Sequence, residues 1–416
     1  MAKARGDYIT ALGQFDPNLK IKTRSLPEGG YVSNYANNEI SLPTLTNGIR
    51  LFGGYRNGGG SYPIYYQNYL TNSGGEYRAG FALPLLKDRA IDKQRADLWT
   101  RTATIAITQN EVTSTKLTVY QEAIKAYWSW VQTGLQLKTF IKLLKLAERR
   151  QAAIEQQAQQ GDLPRIAVSE NQQIIMQRRQ WVNQGNMMLE QASVALAMYY
   201  RTPKGKPLRP RLDELPSRVQ PSKLILTKDK REVHLELLKH PSLCKLERYY
   251  GVVKLQQTLA RNELLPNLDA TAFTSKQYGT GGYERLLPQA TQIGLNFKFP
   301  IYQRQARGKI LSTTSELKQV LTQKKFVYEQ LTNRLSGLWI ALNRYQKQIN
   351  LIQHELTLAT RVANAERRKF HAGDSSLFLV NQREQTSTEV RLNLISSEIN
   401  LQQTQSLIQF FASTTI

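Results

Sequence analysis

The chain has 416 residues, of which 41 % are apolar, with a formal net charge of +24 and a mean hydropathy of −0.46. No run of about 20 apolar residues occurs, which excludes a membrane-spanning helix but not a transmembrane β-barrel, whose strands carry a far weaker signal. Cys244 is the lone cysteine, so no intrachain disulfide forms, and His234, His240, His354 and His371 lack the spacing of metal ligands.

The opening residues, Met1-Ala2-Lys3-Ala4-Arg5-Gly6-Asp7, contain no apolar h-region of a signal peptide. Residues 1–86 read as strand and loop. Leu19, Ile21 and Thr23 alternate with Lys20, Lys22 and Arg24. Ile49, Leu51, Gly53 and Tyr55 alternate with Arg50, Phe52, Gly54 and Arg56, and Tyr77, Ala79, Phe81 and Leu83 alternate with Arg78, Gly80, Ala82 and Pro84. This period of two predicts strands with one apolar and one polar face. A loop holding Gly58-Gly59-Gly60 and Tyr62, Tyr65, Tyr66 and Tyr69 separates the last two strands.

From about Lys87 to Gln160 the sequence is rich in helix formers and almost free of proline and glycine, Gly134 excepted. A continuous helix of that length spans roughly 100 Å, more than one globular core requires. Gly161-Asp162-Leu163-Pro164 breaks it, and a second helix is predicted from about Ala167 to Tyr200. Residues 202–230 read as a proline-rich connector. Helices follow at about Arg231–Lys239 and Pro241–Asn262, then a strand with Leu268, Ala270 and Ala272 on one face, and a loop with Tyr278, Gly279, Gly281, Gly282 and Tyr283. A second strand has Ile293, Leu295, Phe297 and Phe299 alternating with Gly294, Asn296 and Lys298, and Pro300 ends it. A long helix is predicted from about Gln305 to His371. Within it Leu331, Leu335, Leu338, Leu342, Tyr345, Ile349, Ile352 and Leu356 recur at spacings of 4 and 3, a heptad seam for knobs-into-holes packing. Ala372-Gly373-Asp374 breaks this helix, and a last one runs from about Leu377 to Phe411.

The order of elements occurs twice, which divides the chain into repeats at 1–201 and 231–416. Gly80-Phe81-Ala82-Leu83-Pro84 corresponds to Gly294 through Pro300, and Gly161-Asp162 to Gly373-Asp374, with Val168 and Val380 equally far beyond the two glycines. The helical end before the second copy's first strand, Ala260-Arg261, corresponds to Ala4-Arg5.

These residues resemble the TolC-type outer-membrane efflux family. The resemblance is carried by Pro84-Leu85-Leu86-Lys87-Asp88-Arg89-Ala90-Ile91-Asp92 after a strand and His240-Pro241-Ser242-Leu243 opening a helix. It is carried also by Leu264-Leu265-Pro266-Asn267-Leu268 before a strand and by the two glycine tips. It implies a mainly α chain with a β-barrel portion: a homotrimer in which each chain gives four strands to a 12-stranded barrel and helices to a coiled-coil tunnel. It places the chain in the outer membrane of a Gram-negative bacterium with helices in the periplasm. There it would pass drugs, metals or secreted proteins from an inner-membrane transporter and a periplasmic adaptor, as the exit duct of a tripartite efflux or type I secretion system. The lipid face would be Ile293, Leu295, Phe297, Phe299, Tyr77, Phe81 and Leu83, and the adaptor-docking tips Gly161, Ala372, Gly373 and Ser375. No catalytic residue, cofactor or nucleic-acid partner is implied.

Two departures stand out. The family's acidic ring near the second tip falls here on Leu379 and Gln382, and the neighbouring Arg383 and Glu384 read as solvated helix positions. Relative to the family, the chain is expected to lack the signal peptide and first helices, which leaves a non-functional truncated copy as one alternative. A soluble basic coiled-coil scaffold binding nucleic acid is the other. Alternating strands ending in Pro84 and Pro300 argue against the scaffold, since it has no use for them.

Overall fold

The computed structural model describes residues 1–219, 230–282 and 289–412. The predicted connector positions 220–229 and the loop residue Tyr283 lie outside the described residues. The elements run α1 (Ala2–Leu12), β1 (Asn18–Leu26), β2 (Ser33–Pro43), β3 (Arg50–Gly60), β4 (Glu76–Pro84), α2 (Lys93–Gln160) and α3 (Ile166–Ala197). They continue with α4 (Lys230–Glu236), α5 (Pro241–Asn262), β5 (Asn267–Gln277), β6 (Gln289–Lys298), α6 (Arg304–His371) and α7 (Leu377–Ala412).

The two long helices, α2 and α6, each have 68 residues and end in the same way. Gly161 and Gly373 adopt φ of +86° and +82°. The next residue's N–H then reaches back five positions, Asp162 to the Gln157 carbonyl and Asp374 to the Lys369 carbonyl, both at 2.9 Å. This is the Schellman arrangement, which satisfies carbonyls the helix end leaves open and favours glycine at the left-handed position. The sequence repeat is thus a structural repeat at its turns.

The chain forms two compact units, each drawn from both sequence repeats: residues 1–112 with 241–327, and residues 113–240 with 328–416. The first unit contains a six-stranded antiparallel sheet in the order β1-β2-β3-β4-β5-β6. The expected four strands per chain are therefore corrected to six. The sequence reading passed over β2, because Asn34, Asn37 and Asn38 interrupt its apolar residues and asparagine disfavours strands. The three glycines 58–60 belong to β3, not to the loop, and Gly58 permits a close approach: a Cβ there would lie 1.9 Å from the Tyr69 carbonyl oxygen. The strand-to-helix corners are braced at two left-handed residues, Asp88 (φ +66°) and Gln303 (φ +50°). Asn262 accepts from the Asp88 N–H and donates to its carboxylate, while Gln303 donates to the Leu264 carbonyl.

The second unit is helical. Its largest core cluster joins Trp130, Val131 and Leu135 of α2, Leu189 and Leu196 of α3, and Ile395 and Ile399 of α7. Part of the connector is built into it, since Leu215 and Val219 are buried in the same cluster. Gly134, the exception in α2's sequence, makes this possible: a Cβ there would stand 2.5 Å from the Leu215 side chain. The heptad seam faces inward along its whole length. Leu335, Leu342, Ile349 and Ile352 are buried, and Leu331, Leu338, Tyr345 and Leu356 are half-buried. Leu335 packs with Val233, Leu237 and Phe411, so the seam joins the chain's own helices.

Candidate functional site

Two features are candidates for function, one in each unit. The first is the two-faced sheet. Directly paired residues of an antiparallel sheet lie on one face, so the register sorts every side chain. One face holds Leu19 and Ile21 of β1, Ile40 and Leu42 of β2, Leu51 of β3, Tyr77, Phe81 and Leu83 of β4, Ala270 and Ala272 of β5, and Ile293, Leu295 and Phe297 of β6. Its only charged member is Lys276, at the loop end of β5. The opposite face holds ten charged residues: Lys20, Lys22, Arg24, Glu39, Arg50, Arg56, Glu76, Arg78, Asp269 and Lys298.

Large apolar side chains of this sheet stand open to solvent. Ile293, Leu295 and Phe297 are 77 %, 71 % and 65 % exposed, whereas Glu76 on the polar face is buried. The predicted lipid-face residues Tyr77 and Phe81 are also exposed on this apolar face, Leu83 is half-buried there, and the exposed Phe299 lies just beyond β6. Each large apolar side chain left in water forgoes about 1.5–3 kcal/mol of burial. The polar face is internally organised. Arg78 reaches across Gly54 of β3 to Glu39 (2.8 Å) and Asn37 (3.0 Å) on β2, and Arg56 pairs with Glu76. At one end of the strands, tyrosines 35, 62, 65, 66 and 69 form a chain of ring contacts, and the Arg24 guanidinium lies over Tyr66 at 5.9 Å.

The second feature is the tip region of the helical unit. Gly161, Ala372 and Gly373 are exposed, and the half-buried Ser375 donates its hydroxyl to Glu366. Nothing lies within 4 Å of a Cβ built on either glycine, so backbone conformation, not crowding, calls for glycine there. A small core of Ile154, Ala167, Phe370, Leu377 and Val380 holds the two turns, while Phe378, Met176 and Ile166 stand exposed.

Above this core lies an ionic network that the sequence reading missed. Glu384, expected to be solvated, is instead buried with its side chain 1 % exposed, and three arginines surround it. Arg150 of α2 pairs with one carboxylate oxygen and Arg178 of α3 with the other at 2.9 Å, while Arg367 of α6 lies 3.2 Å away. Arg178 also donates to the Leu143 carbonyl at 2.8 Å, and Asn381 accepts from Arg150 at 2.9 Å and from Arg178 at 3.3 Å. Burial pulls the Arg178 pKa below its ordinary value, and Glu384 opposes the shift. Arg383, by contrast, is exposed as expected. One carboxylate thus ties four helices together beside the tips.

Among the described residues no helix is long and apolar enough to cross a membrane. No protein-family model and no curated protein matches the sequence. Solved structures do match over almost the whole chain. A membrane protein from Pseudomonas aeruginosa is similar with a TM-score of 0.68 at 14 % identity, over 100 % of this chain and 88 % of that one. The outer membrane protein VceC of Vibrio cholerae gives 0.67 at 14 % identity, over 99 % of this chain and 90 % of that one. The CmeC outer membrane channel of Campylobacter jejuni gives 0.66 at 11 % identity, over 99 % and 80 %.

Proposed function

We propose that this chain, which has the fold of TolC-type outer-membrane channels, is itself an outer-membrane exit duct of a Gram-negative cell, with its helical unit in the periplasm. The observation that carries this reading is the two-faced sheet: an apolar face with exposed side chains on β1, β2, β3, β4 and β6, backed by a face that holds ten charged residues, two pairs of them bridged. Lipid is the solvent that favours the first face, and a water-filled lumen favours the second. Unpaired backbone groups at the edges of β1 and β6 would each cost several kcal/mol in lipid. Closure with further copies removes those edges. An even number of strands leaves β1 and β6 antiparallel, so β6 of one copy can pair with β1 of the next. A homotrimer would then hold eighteen strands, not the twelve expected from four per chain. Exposed apolar residues on α6, among them Ile340, Leu351 and Leu358, supply surface for contact between copies.

The tips and the exposed Phe378, Met176 and Ile166 beside them suit docking of a periplasmic adaptor, which would link the duct to an inner-membrane transporter. Transport is passive passage, which needs no catalytic group or cofactor. Cell fractionation, unheated gels and planar-bilayer recording test the proposal together. The expected result is a heat-modifiable oligomer in the outer-membrane fraction that opens discrete conductances once reconstituted. A soluble protein that elutes from heparin only at high salt would replace the channel with a nucleic-acid-binding scaffold.

A further inference from the structure

The ten charges on the polar face of the sheet comprise seven cations and three acids. Two of the acids are used within the face, Glu76 by Arg56 and Glu39 by Arg78. What remains is Lys20, Lys22, Arg24, Arg50 and Lys298 against Asp269 alone. Among the described residues none of these five cations has an acidic partner within ion-pair distance. Three of them, Lys20, Lys22 and Arg24, stand at alternate positions of β1 and form a basic row along the sheet's free edge. The strand that would close against this edge in a neighbouring copy is β6, Gln289–Lys298, which contains no acidic residue. Closure therefore leaves the row unneutralised and brings Lys298 to the same seam.

We infer that the lumen of the barrel selects for anions and that the solutes this duct passes best are negatively charged. The inference rests on the channel reading, which assigns the polar face to the lumen. Fixed charge in a water-filled passage with low-dielectric walls concentrates counter-ions and lowers the barrier to their passage, and rings of Lys and Arg serve this role in anion pores. Arg78 and Arg56 add little, because their charge is cancelled locally. The β1 row is the selective element: Lys20 stands across the ladder from Glu39, which Arg78 already holds, and none of the three cations has a carboxylate within ion-pair distance among the described residues. Its influence should fade as salt rises, because the screening length falls from about 30 Å at 0.01 M to about 8 Å at 0.15 M.

The test is the reversal potential of the reconstituted full-length protein in a planar bilayer under a tenfold KCl gradient. At low salt the wild-type channel is expected to pass chloride in preference to potassium by on the order of threefold, with the ratio approaching unity in concentrated salt. Lys20→Glu/Lys22→Glu/Arg24→Glu should invert the preference. The neutral set Lys20→Gln/Lys22→Gln/Arg24→Gln, which disturbs the strand less, should reduce it without inverting it. A wild-type channel that opens but prefers potassium or shows no preference overturns the inference and leaves the channel reading standing. So does a neutral set with unchanged selectivity. A protein that opens no conductance overturns both.

Discussion

Removing the Glu384 carboxylate should unlock the helical unit at its tips. In Glu384→Gln the side-chain volume is kept, but Arg150 and Arg178, whose side chains are 7 % and 3 % exposed, lose their anion. Breaking a buried ion pair by deleting one partner costs about 3–5 kcal/mol, because the remaining charge stays desolvated. Here two guanidiniums are stranded, yet each keeps a neutral acceptor, Asn381 for Arg150 and the Leu143 carbonyl for Arg178. The lower end, about 3 kcal/mol, is therefore expected. For a folded unit of this size that corresponds to a fall in Tm of roughly 6–12 °C. The assay is thermal unfolding in detergent followed by far-UV circular dichroism, with Arg383→Gln as the exposed control. Replacing Arg150, Arg178 and Glu384 together with Met should recover much of the loss, since the buried charges then leave as a unit. If Glu384→Gln melts within about 2 °C of wild type, well below the range derived from the buried pair, the network does not tie the helices and the reasoning fails.

Leu335 and Leu351 sit on the same helix with opposite exposure, so Leu335→Asp should cost about 3 kcal/mol or more of stability, whereas Leu351→Asp, at a position 71 % exposed, should leave the isolated chain's melting unchanged and weaken association between copies on light scattering. Gly373→Ala introduces no contact but forces a side chain to φ +82°, so a loss of about 1 kcal/mol is expected, read by denaturant unfolding and matched at Gly161. His240 has its pKa lowered from 6.5 by burial and by the nearby Arg334, so the fold favours its neutral form; stability is full above the unfolded-state pKa and is lost as pH falls from there toward the folded-state pKa. His240→Gln should flatten the fall in Tm as pH drops below about 6.5.

Much of this fold was legible because its signals repeat. The heptad from Leu331 to Leu356 marked the inward stripe of α6 residue by residue, and the paired glycines marked both turns. What escaped was of two kinds. Strand β2 escaped because three asparagines dilute its alternation. Glu384 escaped because charge normally marks a wet position. The signal was nonetheless present: Leu143, Ala147, Arg150 and Ile154, then Asn171, Ile175 and Arg178, then Leu377, Val380 and Glu384 each follow helical stripe spacing. Charged residues standing on buried stripes of three helices, two positive and one negative, point to a shared ion pair. A single helix read alone does not reveal it.

The sheet and its edges impose opposite demands, and together they constrain how the protein reaches its working state. In water a lone copy exposes Ile293, Leu295, Phe297 and the rest of the apolar face; in lipid the same copy satisfies that face but strands the backbone groups along β1 and β6. Neither solvent suits an open six-stranded sheet. On the proposed channel reading, the state that would satisfy both demands is one in which copies close edge to edge as the apolar face meets lipid, which would couple insertion to assembly. Lys20, Lys22 and Arg24 fit this coupling. Placed on the polar side of a free edge, they disfavour edge pairing of soluble copies with one another, since charged edge residues are a common guard against such pairing. In the proposed closed barrel the same three residues would face the lumen, where water still solvates them.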